Sequence, residues 1–477
     1  MRLWLVWWSV IEPLREVCAR QASFLWLALT TAGICARGDL LGVSSIVRTL
    51  GLAGRCYDRL LDFFHSPAVD PDRLSRKWTQ QAMGLFPAYR YAGRPVLLGD
   101  GIKIPKSGRK MPAVKLLYQE SEGNTKPRYI MGHSVQVVSM LVAAAGSFFA
   151  VPLAGRIHEG VKFTNRDHRT LPVKFASLLD AISIGAPFYL VADAAFACRS
   201  LARRLVDSGN HLISRLPRSA VAYAPAPPCD GPRKRGRPRL YGPKIKLWSL
   251  FDCPAEDWQS AQSPVYGERG ITIQFLCRDL LWRPFRRVVR LVLVEHPTRG
   301  RSIFIATDIA MPPIEVIRLY GLRFKIELSF KQALRVLGVY AYHFWMSSMD
   351  KITRGSRTQY LHRKSDRYRA AVRRKLAAYH RHIQVGLISQ GILQYLAVKH
   401  PRWVWASFGS WLRTVRPGIP PSELVTAAAM RNALPEFLAD PDSCPIFKKF
   451  SVTASTPHAT SLCGSPDRRK RGTLKLD

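Results

Sequence analysis

The sequence predicts an α+β protein in which a mixed β-sheet with flanking helices lies between helical regions at both ends. Residues 1–90 have the apolar spacing of helices, and from Arg94 the pattern changes to short apolar runs typical of strands. Further strand-like runs, at 245–251 and between 271 and 306, follow a linker rich in Pro and Arg. The chain of 477 residues is long enough for roughly two to four domains.

The charge of the chain points to a polyanionic partner. Lys and Arg total 72 against 33 Asp and Glu, which leaves a formal net charge of +39. A surface this positive repels itself unless it meets nucleic acid or an anionic membrane. The membrane is the weaker choice, because the uncharged run at 24–36 is shorter than the ~20 residues that a span needs.

The nine cysteines favour a reduced, cytoplasmic protein. They are scattered and odd in number, and no Cys-x-x-Cys pair occurs. This distribution argues against a zinc ribbon and against a disulfide scaffold.

One N-terminal stretch has two possible interpretations. Short periodic segments at 44–50 and 55–64 flank a breaker, Gly51-Leu52-Ala53-Gly54. Such a pair suits a DNA-reading helix-turn-helix in which Arg55 and Arg59 reach phosphates. It equally suits an ordinary helical hairpin.

The central part of the chain predicts strands and helices in alternation. An apolar run at 95–99 stops at Asp100, and a hairpin is expected at 133–153 around Gly146. A helix through 175–182 precedes another buried strand at 188–192, which stops at Asp193. A further helix follows near 201–205.

Basic runs elsewhere indicate contacts with phosphate. The segment 233–239 has an Arg-Gly-Arg-Pro core, and its Arg235 and Arg237 suit a narrow minor groove, although a solvated loop is the plain alternative. Residues 351–375 carry ten Lys or Arg against one acid, which predicts a helical phosphate-facing surface or a solvated helix face.

A polar stripe marks the helix expected from Pro313 to about residue 337. Tyr320, Arg323, Glu327 and Lys331 are spaced 3, 4 and 4 apart, so they fall on one narrow face of an otherwise apolar helix. A buried Glu there needs partners or a metal.

These acids suggest a metal centre. If Asp100, Asp193 and Glu327 converge, they offer three hard oxygen ligands that suit Mg²⁺ or Mn²⁺. Two such ions can drive an in-line displacement at phosphorus. Each Asp taken singly is more often a turn or helix-capping residue, and only the combination with the stripe and the charge points to this chemistry.

The order of these residues resembles the DDE transposases of bacterial insertion sequences, in the RNase H-like, retroviral-integrase-like superfamily. Their signature Y-x2-R-x3-E-x6-K matches here at Tyr320, Arg323 and Glu327. The fourth mark falls on Leu334 rather than Lys, and Lys331 or Arg335 can substitute for it.

The resemblance implies a transposase with an RNase H-like fold and a strand-rich insertion before the last catalytic helix. Its catalytic and metal-binding residues would be Asp100, Asp193 and Glu327, with Mg²⁺ or Mn²⁺ as cofactor. A homodimer would hold two ends of double-stranded DNA in a synaptic complex, in a bacterial cytoplasm. Relatives can extrude a base onto an aromatic ring, and Trp282 is the favoured candidate beside Trp248 and Trp258.

The expected organisation has six parts. They are a helical DNA-binding region (1–90), the first part of the catalytic core (91–218), a strand-rich insertion with a basic loop (219–310), the last catalytic helix (311–350), a basic helical region (351–440) and a disordered basic tail (441–477). Two other functions stay open, namely a catalytically inactive DNA-binding protein derived from a transposase and a structure-specific nuclease.

Overall fold

The N-terminal region is helical, as predicted. A computed structural model describes residues 1–40, 42–119, 127–227, 239–410, 414–416, 418–440 and 444–456. The first helices are α1 (Arg2–Ile11), α2 (Gln21–Ala36), α3 (Gly42–Thr49), α4 (Cys56–His65) and α5 (Pro71–Leu85). The α3–α4 pair matches the two short helices expected around Gly51, whose φ of 60° suits the tight turn. The Asp70 side chain caps α5 by accepting from the backbone N–H groups of Asp72 and Arg73.

A mixed sheet forms the centre of the molecule. Its first elements are β1 (Arg90–Tyr91), β2 (Arg94–Pro105), β3 (Lys115–Tyr118), β4 (Tyr129–Ala144), β5 (Ser147–Ile157), β6 (Val161–Lys162), α6 (Leu171–Ile182), β7 (Tyr189–Ala192), α7 (Arg199–Asp207) and β8 (His211–Leu216). Five strands lie in the order β5-β4-β2-β7-β8. β4 is antiparallel to both neighbours, whereas β2, β7 and β8 run parallel. The predicted mixed sheet with flanking helices is confirmed.

The β4–β5 hairpin is also confirmed. Its turn residues Ala145 and Gly146 have φ values of 49° and 70°. Two positive φ angles are typical of the tight turn that matches the twist of paired strands.

The strand-rich insertion extends this same sheet. It contains β9 (Val221–Pro225), β10 (Tyr241–Lys246), β11 (Gln259–Gln262), β12 (Thr272–Trp282), β13 (Arg287–His296) and β14 (Gly300–Ala306). β14 pairs antiparallel with β8, so the insertion is hydrogen-bonded to the core. The strand expected at 245–251 is wrong beyond Lys246, where a 3₁₀ helix (Leu247–Asp252) begins. Lys246 already pairs with Val221, the first residue of β9, so β9 offers no partner farther along.

In the C-terminal region, one long helix packs against the sheet. Its first elements are α8 (Pro313–Leu322), α9 (Phe324–Gln332), a π-helical turn (Ala333–Leu337), β15 (Gln359–Tyr360) and α10 (Asp366–Lys399). The first turns of α10 are largely exposed and basic, but from Arg381 to Gln394 the helix is buried. Arg381 donates to the carbonyl oxygens of Phe64 and Val69, which ties the N-terminal helices to α10.

The expectation of a disordered tail from residue 441 is wrong for part of the segment. After α11 (Pro401–Phe408), α12 (Glu423–Asn432) and α13 (Leu434–Ala439) comes α14 (Pro445–Ser455). Its Phe447 packs against Trp7 and Trp8 of α1, and burial of these rings stabilises a helix that composition alone did not indicate. Residues 457–477 lie outside the described part. Within the described ranges, no helix is both long and apolar enough to cross a membrane.

Gly99 allows α6 to approach β2 closely. A Cβ atom at this position would lie 2.7 Å from Cζ of Phe175, a fully buried ring, and 3.3 Å from Leu190. We expect Gly99→Ala to lower the free energy of unfolding by about 1–3 kcal/mol through overpacking. Urea denaturation measures this loss, and adding Phe175→Leu should restore part of it. Unchanged stability of the single variant would contradict the tight contact.

Candidate active site

Strand register places the first two acids side by side. In the parallel β2–β7 pair, Gly99 lies opposite Ala192, and Asp100 and Asp193 are the next residues on the two strands. Adjacent strands lie about 4.8 Å apart, so the two carboxylates start from neighbouring backbone positions.

The expectation that both acids terminate their strands holds only for Asp193. β2 continues through Asp100 to Pro105 because β4 pairs with it as far as Gly132. That pairing satisfies the backbone groups after Asp100. The parallel pairing with β7, in contrast, ends at Gly99 and Ala192, one residue before each acid.

The helix that carries the polar stripe is divided into α8 and α9 at Arg323. The backbone of Arg323 keeps helical angles, φ −55° and ψ −36°, so Tyr320, Arg323 and Glu327 still share one face. The prediction of one continuous helix is therefore wrong at Arg323, where the helix is divided. The prediction that the three side chains share one face is right.

Arg323 joins two of the acids directly. Its Nη1 donates to Oδ2 of Asp100 at 2.6 Å, and its Nη2 donates to Oε1 of Glu327 at 2.9 Å. The Tyr320 hydroxyl lies 3.5 Å from Oδ1 of Asp193. Asp100 of β2 and Glu327 of α9 thus contact Arg323, and Asp193, the residue after β7, lies beside Tyr320.

Burial sets the electrostatics of this cluster. The side chains of Asp100 and Arg323 are only 17% and 16% exposed, whereas Glu327 is 55% exposed. Desolvation raises the pKa of Asp100 to about 6, and the charges of Asp193 and Glu327 add to this rise. The Arg323 guanidinium and the Gly101 N–H oppose it only in part. Burial also raises the pKa of the Tyr320 phenol, which keeps it a neutral donor.

The chemistry of these side chains fits a divalent cation. Three carboxylates are grouped with one guanidinium, so the cluster has an excess of formal negative charge, and the charges of Asp193 and Glu327 add to the rise that burial causes in the pKa of Asp100. Hard oxygen donors of this kind suit Mg²⁺ or Mn²⁺. In the conformation described, however, no three His, Cys, Asp or Glu side chains among the described residues are grouped to hold a metal ion.

The remaining predicted residues fall into three groups. Lys331 and Arg335 are exposed on the same helical segment, on either side of the half-exposed Leu334, so either can reach a phosphate. Arg235 and Arg237 lie outside the described residues. Trp282 is wrong as an open base platform, because it is only 4% exposed and belongs to the core. Its place at the end of β12, beside the buried Phe285, accounts for this.

Two further features of the structure are not predicted from the sequence. Lys325 on α9 is buried, and its Nζ lies 3.6 Å from the ring centroid of Tyr266, so it links the insertion to the helix. A cleft of about 1090 Å³ runs between the core and the insertion, and its basic wall contains Arg199, Arg239, Lys244, Arg283 and Arg286. Arg239 ends the basic run predicted at 233–239, whereas the other four cations lie outside that run, so the sequence gives no sign that all five share one wall.

Comparison with known proteins places the chain in a family. No curated protein is similar enough in sequence to count as a match. Among solved structures, the chain is similar to a piggyBac transposase in a synaptic complex with hairpin DNA, with 11% identity, a TM-score of 0.35, and 96% of this chain and 84% of that chain covered. The family described as DDE superfamily endonuclease matches residues 13–272, more than half of the sequence, and this range contains Asp100 and Asp193. The chain therefore belongs to the DDE superfamily endonucleases.

Proposed function

We propose that this protein is a transposase that cuts and joins DNA phosphodiesters at the terminal inverted repeats of an insertion sequence. The proposal is supported by the contacts of Arg323 with Asp100 and Glu327, and of Tyr320 with Asp193, in a DDE superfamily endonuclease. Glu327 lies beyond the residues matched by the family, so its assignment depends on its contact with Arg323.

Each residue has a role that follows from its chemistry. Asp100, Asp193 and Glu327 would hold Mg²⁺ or Mn²⁺, which activates the attacking oxygen and stabilises the leaving oxygen when two ions are bound. Arg323 and the exposed Lys331 would bind phosphate oxygens, and the Tyr320 hydroxyl would orient Asp193. The low exposure of Asp100 and Arg323 would keep bulk water from one side of the reacting phosphate.

The proposed substrate is double-stranded DNA, bound by a homodimer that pairs two ends. The net charge of +39 and the basic cleft beside the insertion support a DNA partner. A protein with this substrate would work in the bacterial cytoplasm, associated with the nucleoid.

Cleavage of the ends is the direct test. Purified protein with Mg²⁺ should cut labelled DNA that carries the inverted repeats flanking its own gene, and it should join the freed 3′ ends to a target. The same DNA with scrambled repeats serves as the control. Cutting without preference for the ends, and without joining, would instead identify a structure-specific nuclease.

A catalytically inactive DNA-binding protein is the second candidate. The ion pairs of Arg323 with Asp100 and Glu327 favour it, because a guanidinium can neutralise acids that no longer bind metal. Calorimetric titration with Mn²⁺ separates the two candidates. A transposase should bind Mn²⁺ at pH 7.5 and more weakly below pH 6, where Asp100 becomes protonated, and an inactive binder should show no site at the acids.

A further inference from the structure

We propose that Tyr266 of the insertion is a positioning residue for α9, the helix that carries Glu327. The inference rests on the proposed function, because that function gives Glu327 its role in DNA cleavage. Tyr266 lies in the β11–β12 loop (263–271), which belongs to the insertion and not to the catalytic core. The loop nevertheless contacts the core sheet and both helices that meet at Arg323.

The first contact is with the start of α9. The Nζ of Lys325 lies 3.6 Å from the ring centroid of Tyr266, and the centroids of the Tyr266 and Phe324 rings are 6.2 Å apart. Lys325 is only 6% exposed, so its ammonium has lost most of its water, and the face of the phenol ring compensates for part of that loss. The contact therefore favours one position of Lys325 against the insertion.

The second contact is with the β4–β5 hairpin. The hydroxyl of Tyr266 lies 3.5 Å from Oγ of Ser147, and its ring meets that of Phe148 edge-on, with 5.8 Å between the centroids. The preceding residue, Val265, packs against α8, because a Cβ atom at Gly321 would lie 3.5 Å from both of its methyl carbons. Tyr266 and Val265 thus bridge the sheet and the two helices.

The loop itself is anchored in the insertion. Glu268, whose side chain is only 11% exposed, accepts hydrogen bonds from the Ser263 hydroxyl, from Nε2 of His296 at 2.9 Å and from Nε of Arg299 at 2.8 Å. Nδ1 of His296 accepts from the backbone N–H of Thr298, so Nε2 carries the proton and is the donor. These donors belong to the loop, to the end of β13 and to the turn after it, so they fix the loop relative to the sheet.

A fixed contact at this point matters because the helix is divided at Arg323. The Arg323 N–H donates to the Tyr320 carbonyl and the Ile326 N–H donates to the Arg323 carbonyl, both at 3.0 Å. These bonds span three residues rather than the four of a regular α-helix. Lys325 follows the junction directly and precedes Glu327 by two residues, so its contact influences the direction in which α9 leaves the junction. A misplacement of about 1 Å at a reacting centre can cost about a hundredfold in rate.

The rest of α9 is held independently of Tyr266. Ile326 and Phe330 are 0% and 8% exposed, and the Ser329 carbonyl accepts from the side-chain amide of Gln390 in α10 at 3.0 Å. Loss of the Tyr266 ring should therefore change the orientation of the first turn of α9 without unfolding the helix.

Cleavage and binding of end DNA, measured separately, test this role. We expect Tyr266→Ala to lower the single-turnover rate of cleavage in Mg²⁺ by about 10- to 100-fold and to leave the affinity for end DNA in metal-free buffer within about twofold. Tyr266→Phe keeps the ring over Lys325 and should cut at nearly the wild-type rate. Tyr118→Ala is the matched control. It removes a tyrosine of similar exposure, 43% against 38%, that also lies beside a cation, Arg128, and it should change neither quantity.

Hydrogen exchange of the backbone amides is a second measurement, and it requires no catalysis. Peptides covering 320–332 should lose protection in Tyr266→Ala protein, whereas peptides from α10 should not. If the wild-type protein binds DNA but does not cut it, the proposed function fails, and hydrogen exchange still decides whether Tyr266 holds α9.

Four results would overturn the inference. They are a wild-type cleavage rate in Tyr266→Ala protein, an equal loss of rate and of DNA affinity, unchanged exchange at 320–332, and faster exchange throughout the chain. The second would make Tyr266 a DNA contact, and the fourth would mean that it only stabilises the fold. A Tyr266→Phe protein as slow as Tyr266→Ala would also contradict the inference, because the ring over Lys325 would then not be the group that acts.

Discussion

Asp193→Asn is expected to abolish strand cleavage and to leave binding of DNA ends nearly unchanged. The amide preserves the shape of the side chain, and the Asp193 carbonyl, which accepts from the Ser214 hydroxyl at 3.0 Å, is untouched. Only the negative charge beside Asp100 and Tyr320 is lost. If that charge holds a catalytic metal ion, several kcal/mol of transition-state stabilisation disappear, and the rate should fall by roughly a thousandfold or more.

Cleavage of labelled end DNA in Mg²⁺ measures this rate, and fluorescence anisotropy in metal-free buffer measures binding. Asp207→Asn is a matched control, because Asp207 is an exposed carboxylate whose ion pairs are with Arg203 and Arg287 rather than with Arg323. It should cut normally. Retained cutting by Asp193→Asn protein would remove Asp193 from the active site.

Asp100→Asn is expected to stabilise the protein relative to the wild type, and this gain should be larger at neutral pH than at acid pH. In the folded wild type the pKa of Asp100 is raised to about 6 from its ordinary 3.8, mainly by burial. The folded state then binds a proton that the unfolded state has released, so wild-type stability falls as pH rises from about 4 to 6. Asn cannot ionise, so the variant does not lose this stability. The loss in the wild type amounts to roughly 3 kcal/mol of unfolding free energy above pH 6.

Urea denaturation of both proteins at pH 3 and pH 7.5 provides the comparison. At pH 3, below both pKa values, the carboxyl is largely neutral in both states, so the difference measured there contains mainly the effects of packing and hydrogen bonding and serves as the internal control. An equal stability difference at the two pH values would mean that Asp100 does not titrate abnormally. If the same variant also lost Mn²⁺ binding, the Asp100 carboxylate, whose charge is unfavourable in the folded protein, would be a metal ligand.

The local patterns of the sequence were sufficient for much of the fold. The strand ending at Asp193, the β4–β5 hairpin and the helices α6 and α7 all carry clear periodicity between turn residues, and all are present. The stripe from Tyr320 to Glu327 was equally readable, because helical spacing alone puts those residues on one face.

Other features depended on partners that are distant in sequence. β2 extends past Asp100 because β4 supplies hydrogen bonds, and α14 exists because Phe447 finds Trp7 and Trp8. Arg278, Arg283 and Arg286 flank Trp282 in the sequence and favour it as a base platform, but its ring is buried in the core. Neither the pairing of two strands nor the burial of a ring can be recognised from the residues next to it in the sequence.

The identities and order of the three acids, the helical stripe and the strong positive charge can be read from the residues alone. The position of Arg323 between Asp100 and Glu327 and the continuation of the central sheet into the insertion follow from packing between distant segments. Periodicity reports which face of an element a residue occupies, whereas burial, ion pairing and pKa depend on which elements pack together.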